Sequence, residues 1–149
     1  MKRRDMLVNS MVIAGISGGE VFAAESNSKR FGNVITPPEK EMGKEKHVPF
    51  IDAPAQVKAG ESFQVTVEVG KIVPHPNVVE HYIKWIQLYA LEEGSEYVVN
   101  LGTFEFSPVR THPKVTVTLS LSKSATLYAL EYCNIHGVWD NAVEIKVGV

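Results

Sequence analysis

The run KVTVTLSLS (114–122) alternates apolar and polar side chains at almost every step. A period of two is that of a pleated strand, whose successive side chains point to opposite faces. Val115, Val117, Leu119 and Leu121 then share one inward face. SFQVTVEV (62–69) repeats the pattern with Phe63, Val65, Val67 and Val69. HYIKWIQLYALE (81–92), YVVNLGTFEF (97–106), ATLYALEYC (125–133) and VEIKVGV (143–149) are rich in the β-branched and aromatic residues that suit a half-buried sheet. HVPFIDAP (47–54) adds an edge strand, because Pro49 and Pro54 have no N–H to give to a ladder. Gly102 interrupts its strand and marks a bulge. Turn signals fall between several of these runs at Gly60, Pro74-His75-Pro76-Asn77, Glu93-Gly94 and Pro113. No long helical period competes. The predicted fold is all-β, an immunoglobulin-like antiparallel β-sandwich of about seven strands. It lacks the inter-sheet disulfide of some sandwiches, since the chain holds a single cysteine.

A chain of 149 residues, 44% hydrophobic and 21% charged, has enough apolar material for one core without a disulfide. The strands occupy residues 45–149 as one domain. Residues 24–44, polar and carrying Pro37-Pro38, read as an arm or linker. Residues 1–23 read as an export signal: Lys2, Arg3 and Arg4 precede a mildly apolar stretch that ends in small residues around Ala23. RRDML resembles a twin-arginine signal, with Lys2 standing where Ser or Thr is usual. The apolar part is too short and too polar to span a bilayer, so no stable membrane anchor is expected after cleavage. The expected location is periplasmic or otherwise exported. The mature chain would carry 12 basic and 15 acidic residues and keep only Met42 of its methionines. With no basic run outside the signal, nucleic-acid binding is not expected.

An exported chain meets an oxidising compartment, where one free thiol is a liability. Cys133 is therefore expected to be occupied. It stands in EYCNIHGVWD, three residues before His136, in a turn that Gly137 can close. His75 lies between two prolines in a stiff loop. His81 opens the aromatic strand, and His47 stands where the arm meets the first strand. His112 has no such setting and reads as an exposed loop residue. A thiolate with several imidazoles is a transition-metal ligand set. Blue copper needs a weak axial ligand such as Met, and no Met follows Cys133. Structural zinc would close on four ligands and leave one histidine unused. Five protein donors suit iron, with a sixth position left open.

EKHVP, HPNVVEHYIKWIQLY and CNIHGVWD resemble, in order and spacing, the three motifs of superoxide reductase, in particular the one-iron neelaredoxin type. The resemblance runs from Glu45 to Val149. It implies His47, His75, His81 and His136 as equatorial ligands of one mononuclear iron and Cys133 as the axial one. Glu45 and Lys46 match residues beside the open position. Desulfoferrodoxins carry a further small N-terminal domain with a four-cysteine iron centre. This chain has no cysteines there, so that second iron is not expected.

The implied activity is one-electron reduction of superoxide to hydrogen peroxide, with the electron supplied by an external donor such as a rubredoxin-like redox protein. Homo-oligomers are also implied. Lys46 would attract the anionic substrate, and Glu45 would reach the iron once it is ferric. Trp85 and Trp139 read as packing residues, with Trp139 shielding the thiolate, and Asn134 offers a backbone N–H to the sulfur. Two other readings use the same residues: a non-catalytic iron-binding or electron-transfer protein, and a partner-binding sandwich whose histidines are incidental. Dismutation of superoxide stands as a side activity.

Overall fold

The structure is a computed structural model, described here for residues 46–149. The predicted signal, the arm and Glu45 lie outside the described residues. Eight strands follow in chain order: β1 (Phe50–Asp52), β2 (Gln56–Lys58), β3 (Ser62–Glu68), β4 (Ile83–Glu92), β5 (Val99–Glu105), β6 (Lys114–Ser120), β7 (Ala125–Cys133) and β8 (Gly137–Gly148). They form two sheets, ordered β1-β3-β6 and β2-β8-β7-β4-β5. The sandwich expected from the alternation is present. Among the described residues, only Lys46 and His47 have helical backbone.

The two alternating runs pair with each other, Val65 opposite Val117 and Val67 opposite Val115. Their inward residues pack against Ile86, Leu88 and Ala90 of β4, Leu127 and Ala129 of β7, and Ile145 of β8. Val65, Val67, Ile86, Leu88, Leu127 and Ile145 have no exposed surface. Each such side chain contributes about 1.5–3 kcal/mol by leaving water. The outward residues of β3 and β6 are polar; Thr66 and Thr116, for example, share a 2.8 Å hydroxyl hydrogen bond. Two like strands thus become a sheet with one dry and one wet face.

Three expectations change. β2, not anticipated, pairs in parallel with the end of β8, so the sandwich is not wholly antiparallel. β8 begins at Gly137 rather than Val143, because the Cys133–Gly137 turn sends the chain straight back along β7. His81 stands two residues before β4 and closes a small loop with Val78, with reciprocal backbone bonds of 3.0 and 3.1 Å. The bulge expected at Gly102 lies beside it: Leu88 faces Gly102 and Tyr89 faces Asn100, which leaves Leu101 as the extra residue.

The topology brings one set of connections to one end. β3 stops at Glu68, opposite the start of β1 and of β6. β4 starts opposite the end of β7, and β8 starts where β7 ends. The segment before β1, the long β3–β4 connection and the β7–β8 turn therefore meet at that end. Those three segments carry His47, His75 with His81, and Cys133 with His136.

Candidate metal centre

The four histidine rings form a closed ring. Neighbouring centroids are 4.8 Å apart for His47–His75, 4.7 Å for His75–His81, 4.9 Å for His81–His136 and 4.9 Å for His136–His47. The diagonal from His47 to His81 is 6.5 Å, a little shorter than in a flat square with those sides. Adjacent planes stand at 69–80° to one another, so the rings are arranged edge to face around the ring. Donor atoms of His47, His81, Cys133 and His136 all lie within 4.8 Å of one another. His75 joins them through its Nε2, which is 3.2 Å from His47 Nε2.

Local chemistry marks the nitrogen that His75 and His81 offer. His75 Nδ1 lies 2.7 Å from the Pro76 carbonyl, so it carries the proton and leaves a lone pair on Nε2. A ligating histidine is oriented in the same way, by a backbone carbonyl on its far nitrogen. His81 Nε2 is buried and has no hydrogen-bond partner among the described residues. A buried nitrogen in that state costs free energy unless something fills the space it faces. Converging imine nitrogens beside a thiol fit a transition metal, and these residues can hold the iron that the sequence implies.

Electrostatics agree. Burial holds His75 at a pKa of about 4 against an ordinary 6.5; the Pro76 carbonyl opposes the shift and the neighbouring histidines add to it. His81 is lowered too, first by burial, then by His136 and Lys46. Neutral imidazoles are the form a metal binds. The same influence of Lys46 puts its ammonium within electrostatic reach of the cluster. Burial raises the Cys133 thiol, while the N–H groups of His136 and Ile135 oppose that rise and Glu131 adds to it. The His136 N–H donates to Cys133 Sγ at 3.4 Å, and the His136 Nδ1 lies 3.7 Å from that sulfur. Cys133 is fully buried and His136 is exposed, so solvent reaches the cluster from the imidazole side.

Residues 39–142, well over half the chain, match the desulfoferrodoxin family model. The chain belongs to the desulfoferrodoxin family. Among curated relatives, the superoxide reductase of Pyrococcus horikoshii is 44% identical over 105 residues, covering 68% of this chain and 89% of that protein. The neelaredoxin of Megalodesulfovibrio gigas is 39% identical over 115 residues, covering 69% and 88%. The solved superoxide reductase (neelaredoxin) of Ignicoccus hospitalis matches with a TM-score of 0.68 and 49% identity, covering 73% of this chain and 88% of that one.

In this desulfoferrodoxin-family chain the predicted site residues sort cleanly. His47, His75, His81, Cys133 and His136 come together, Lys46 stands beside them, and Glu45 is outside the described residues. His112 is exposed. Trp139 lies face to face with His47, centroids 4.8 Å apart and planes 14° apart, and its Nε1 donates to the His136 carbonyl at 3.2 Å. Trp85 packs near Tyr132, 5.7 Å between centroids. The Asn134 N–H does not serve the sulfur; it donates to the Tyr82 carbonyl at 3.2 Å.

Sequence reasoning missed two supports of this desulfoferrodoxin-type site, Gly70 and Asn77, and one buried acid that acts on its thiol, Glu131. Gly70 backs directly onto His75. Asn77 ties the His75 loop to the 107–111 loop, its Oδ1 accepting from Val109 N at 3.0 Å and its Nδ2 donating to Thr111 O at 3.1 Å. Val109 adopts φ 70°, a strained value for a β-branched residue, and this bond helps hold it there. Glu131 is fully buried, and neither carboxylate oxygen has a partner among the described residues. Burial pushes its pKa well above the ordinary value. A Gly at the end of an alternating run, an Asn after His-Pro and a Glu inside an apolar strand were the signals available.

Proposed function

We propose that this protein is a superoxide reductase: it reduces superoxide by one electron to hydrogen peroxide at one mononuclear non-haem iron held by His47, His75, His81, His136 and Cys133. The observation that carries this reading is the closed ring of four imidazoles with the buried thiol beside it. The names and structures of the relatives support the same activity. Iron, when bound, supplies the electron. The conversion takes one electron and two protons per superoxide and yields hydrogen peroxide without dioxygen.

The residues of this chain set the conditions. Cys133 binds as thiolate, so its proton leaves on loading, and burial makes that loss depend on a metal's charge. The hydrogen bond from His136 N–H tempers the sulfur's donation of charge. Trp139 covers one face of His47 and holds that ring at its angle. Lys46 draws the substrate, an anion, toward a protein whose net charge is negative. By the family resemblance, Glu45 would supply a hard oxygen donor to the oxidised iron after product leaves. Its replacement by Ala is expected to change the spectrum of the oxidised resting protein while leaving the first encounter fast; identical spectra would remove that role. Protons come from solvent at the exposed His136 side.

A small external redox protein of rubredoxin type would restore the reduced state, and the working form would be a homo-oligomer. Residues 1–23 would direct export by the twin-arginine route, which carries folded proteins. A site assembled from His47 to His136 exists only after folding, so loading before export keeps wrong metals out.

Rapid mixing of the reduced protein with superoxide tests the activity. One hydrogen peroxide per protein oxidised, with no dioxygen, is the expected result. Release of dioxygen would make the protein a dismutase. Superoxide decay no faster than in buffer would leave it an iron-binding or electron-transfer protein.

A further inference from the structure

The β4–β7 ladder gives out at the pair Ile83 and Cys133. One residue continues the connection past that point. The Asn134 N–H donates to the Tyr82 carbonyl at 3.2 Å. Its Oδ1 accepts from the Tyr82 N–H at 2.9 Å, and its Nδ2 donates to the Glu80 carbonyl at 3.0 Å. Glu80 and Tyr82 are the two neighbours of His81, and Asn134 is the neighbour of Cys133.

We propose that Asn134 is a positioning residue for the metal centre, whose side chain fixes the Cys133 loop against the His81 loop so that thiolate and imidazole converge before metal arrives. The proposal rests on the assignment of Cys133 and His81 as ligands. Two loops that only the metal held together would have to be ordered at the moment of binding, and that ordering would weaken affinity. The opposite sides of both loops are already fixed: His81 by its paired bonds with Val78, and His136 by its N–H on the Cys133 sulfur. The contact between the loops is the remaining freedom, and Asn134 removes it.

Asparagine suits the task because a carboxamide offers a donor and an acceptor at one tip. An aspartate in its place would keep an acceptor for the Tyr82 N–H and lose the donor for the Glu80 carbonyl, so N134D leaves half of the clamp. N134A leaves neither side-chain bond. The backbone bond from residue 134 to Tyr82 survives in both.

The test uses the full chain, metal-free and iron-loaded, as parent, N134D, N134A and a core variant, V65A, as a stability control. In the metal-free proteins, amide exchange at Tyr82 is expected to be at least roughly 10-fold faster in N134A than in the parent, with N134D between them. Ferrous iron affinity, by chelator competition, should fall roughly 10–100-fold in N134A and less in N134D, the usual range for groups that orient a ligand. The sulfur-to-iron band of the oxidised protein should shift in the same order. V65A should lose stability and keep both affinity and band. Parent-like affinity and band in N134A and N134D, or losses no larger than those of V65A, would overturn the proposal. A parent protein that binds iron without a sulfur band would overturn the ligand assignment and the role with it, even where Tyr82 exchange shows the clamp intact.

Discussion

Gly70 and His75 touch through their backbones: a Cβ placed on Gly70 would lie 2.5 Å from the His75 nitrogen and 3.1 Å from the His75 Cβ. Gly70 also has φ +81°, the left-handed region that side-chain-bearing residues avoid. The end of β3 therefore sets how closely the His75 loop folds back onto the sheet. Gly70→Ala is expected to cost about 1–2 kcal/mol for the backbone conformation alone, and to push His75 off the ring of imidazoles. Urea unfolding and iron titration check both parts. A variant that binds iron as tightly as the parent would show that His75 tolerates the displacement.

Cys133 is the single cysteine of the sequence, with its Sγ 3.7 Å from His136 Nδ1. Cys133→Ser should abolish the sulfur-to-iron absorption of the oxidised protein. The imidazoles should still bind metal, more weakly. Visible spectra of the two oxidised proteins decide this, and a surviving band would remove Cys133 from the ligand set.

Lys46 is near enough to His81 to lower its pKa, and the protein around it is acidic overall. Lys46→Ile should slow the second-order reaction with superoxide at low ionic strength and flatten its salt dependence, since charge steering weakens as salt screens it. Equal rates for parent and variant at low salt would show that iron alone attracts the substrate.

The histidine pKa shifts fix a pH window for the metal-free protein. Burial lowers His75 to about 4 and lowers His81 as well, whereas an unfolded histidine titrates near 6.5. The unfolded chain then binds more protons at these two sites across that interval, so their contribution to stability rises with pH. Buried Glu131, its pKa raised, contributes in the opposite direction over part of the same interval. The histidine effect is therefore read as the stability difference between metal-free parent and His75→Gln, which should move against the parent as pH falls from about 6.5 to about 4, by at most about 3 kcal/mol. Denaturant titrations of both proteins at pH 7.5, 6, 5 and 4 measure it. A difference that stays constant across this interval would mean that the His75 imidazole is charged, or solvated, in the folded state.

Much of this was legible in the sequence because period-two patterns and loop residues each carry their own physics. Val65, Val67, Val117 and Leu119 fall on the face that alternation assigns them. His75 between prolines and Cys133 before Gly137 sit in loops whose shape is local; Gly137 has φ +81°, as a tight return requires. β2 was not legible, since Gln56–Lys58 has one partly buried residue and is held by its parallel ladder to β8. The first half of β8 was hidden because Gly137, Asp140 and Asn141 are residue types depleted in strands, and it is the ladder to β7 that holds them in one. Gly70 and Asn77 act on partners that only the folded loop brings close. Asn134 was assigned to the sulfur because it is next to Cys133 in sequence, but the β4–β7 register turns it toward Tyr82.

X-ray absorption at the iron edge of the reduced, full-length protein tests the central claim most directly. The arrangement of His47, His75, His81, His136 and Cys133 predicts one sulfur and four nitrogen neighbours around iron, with a position left open. A tetrahedral shell, or a shell without sulfur, would contradict it.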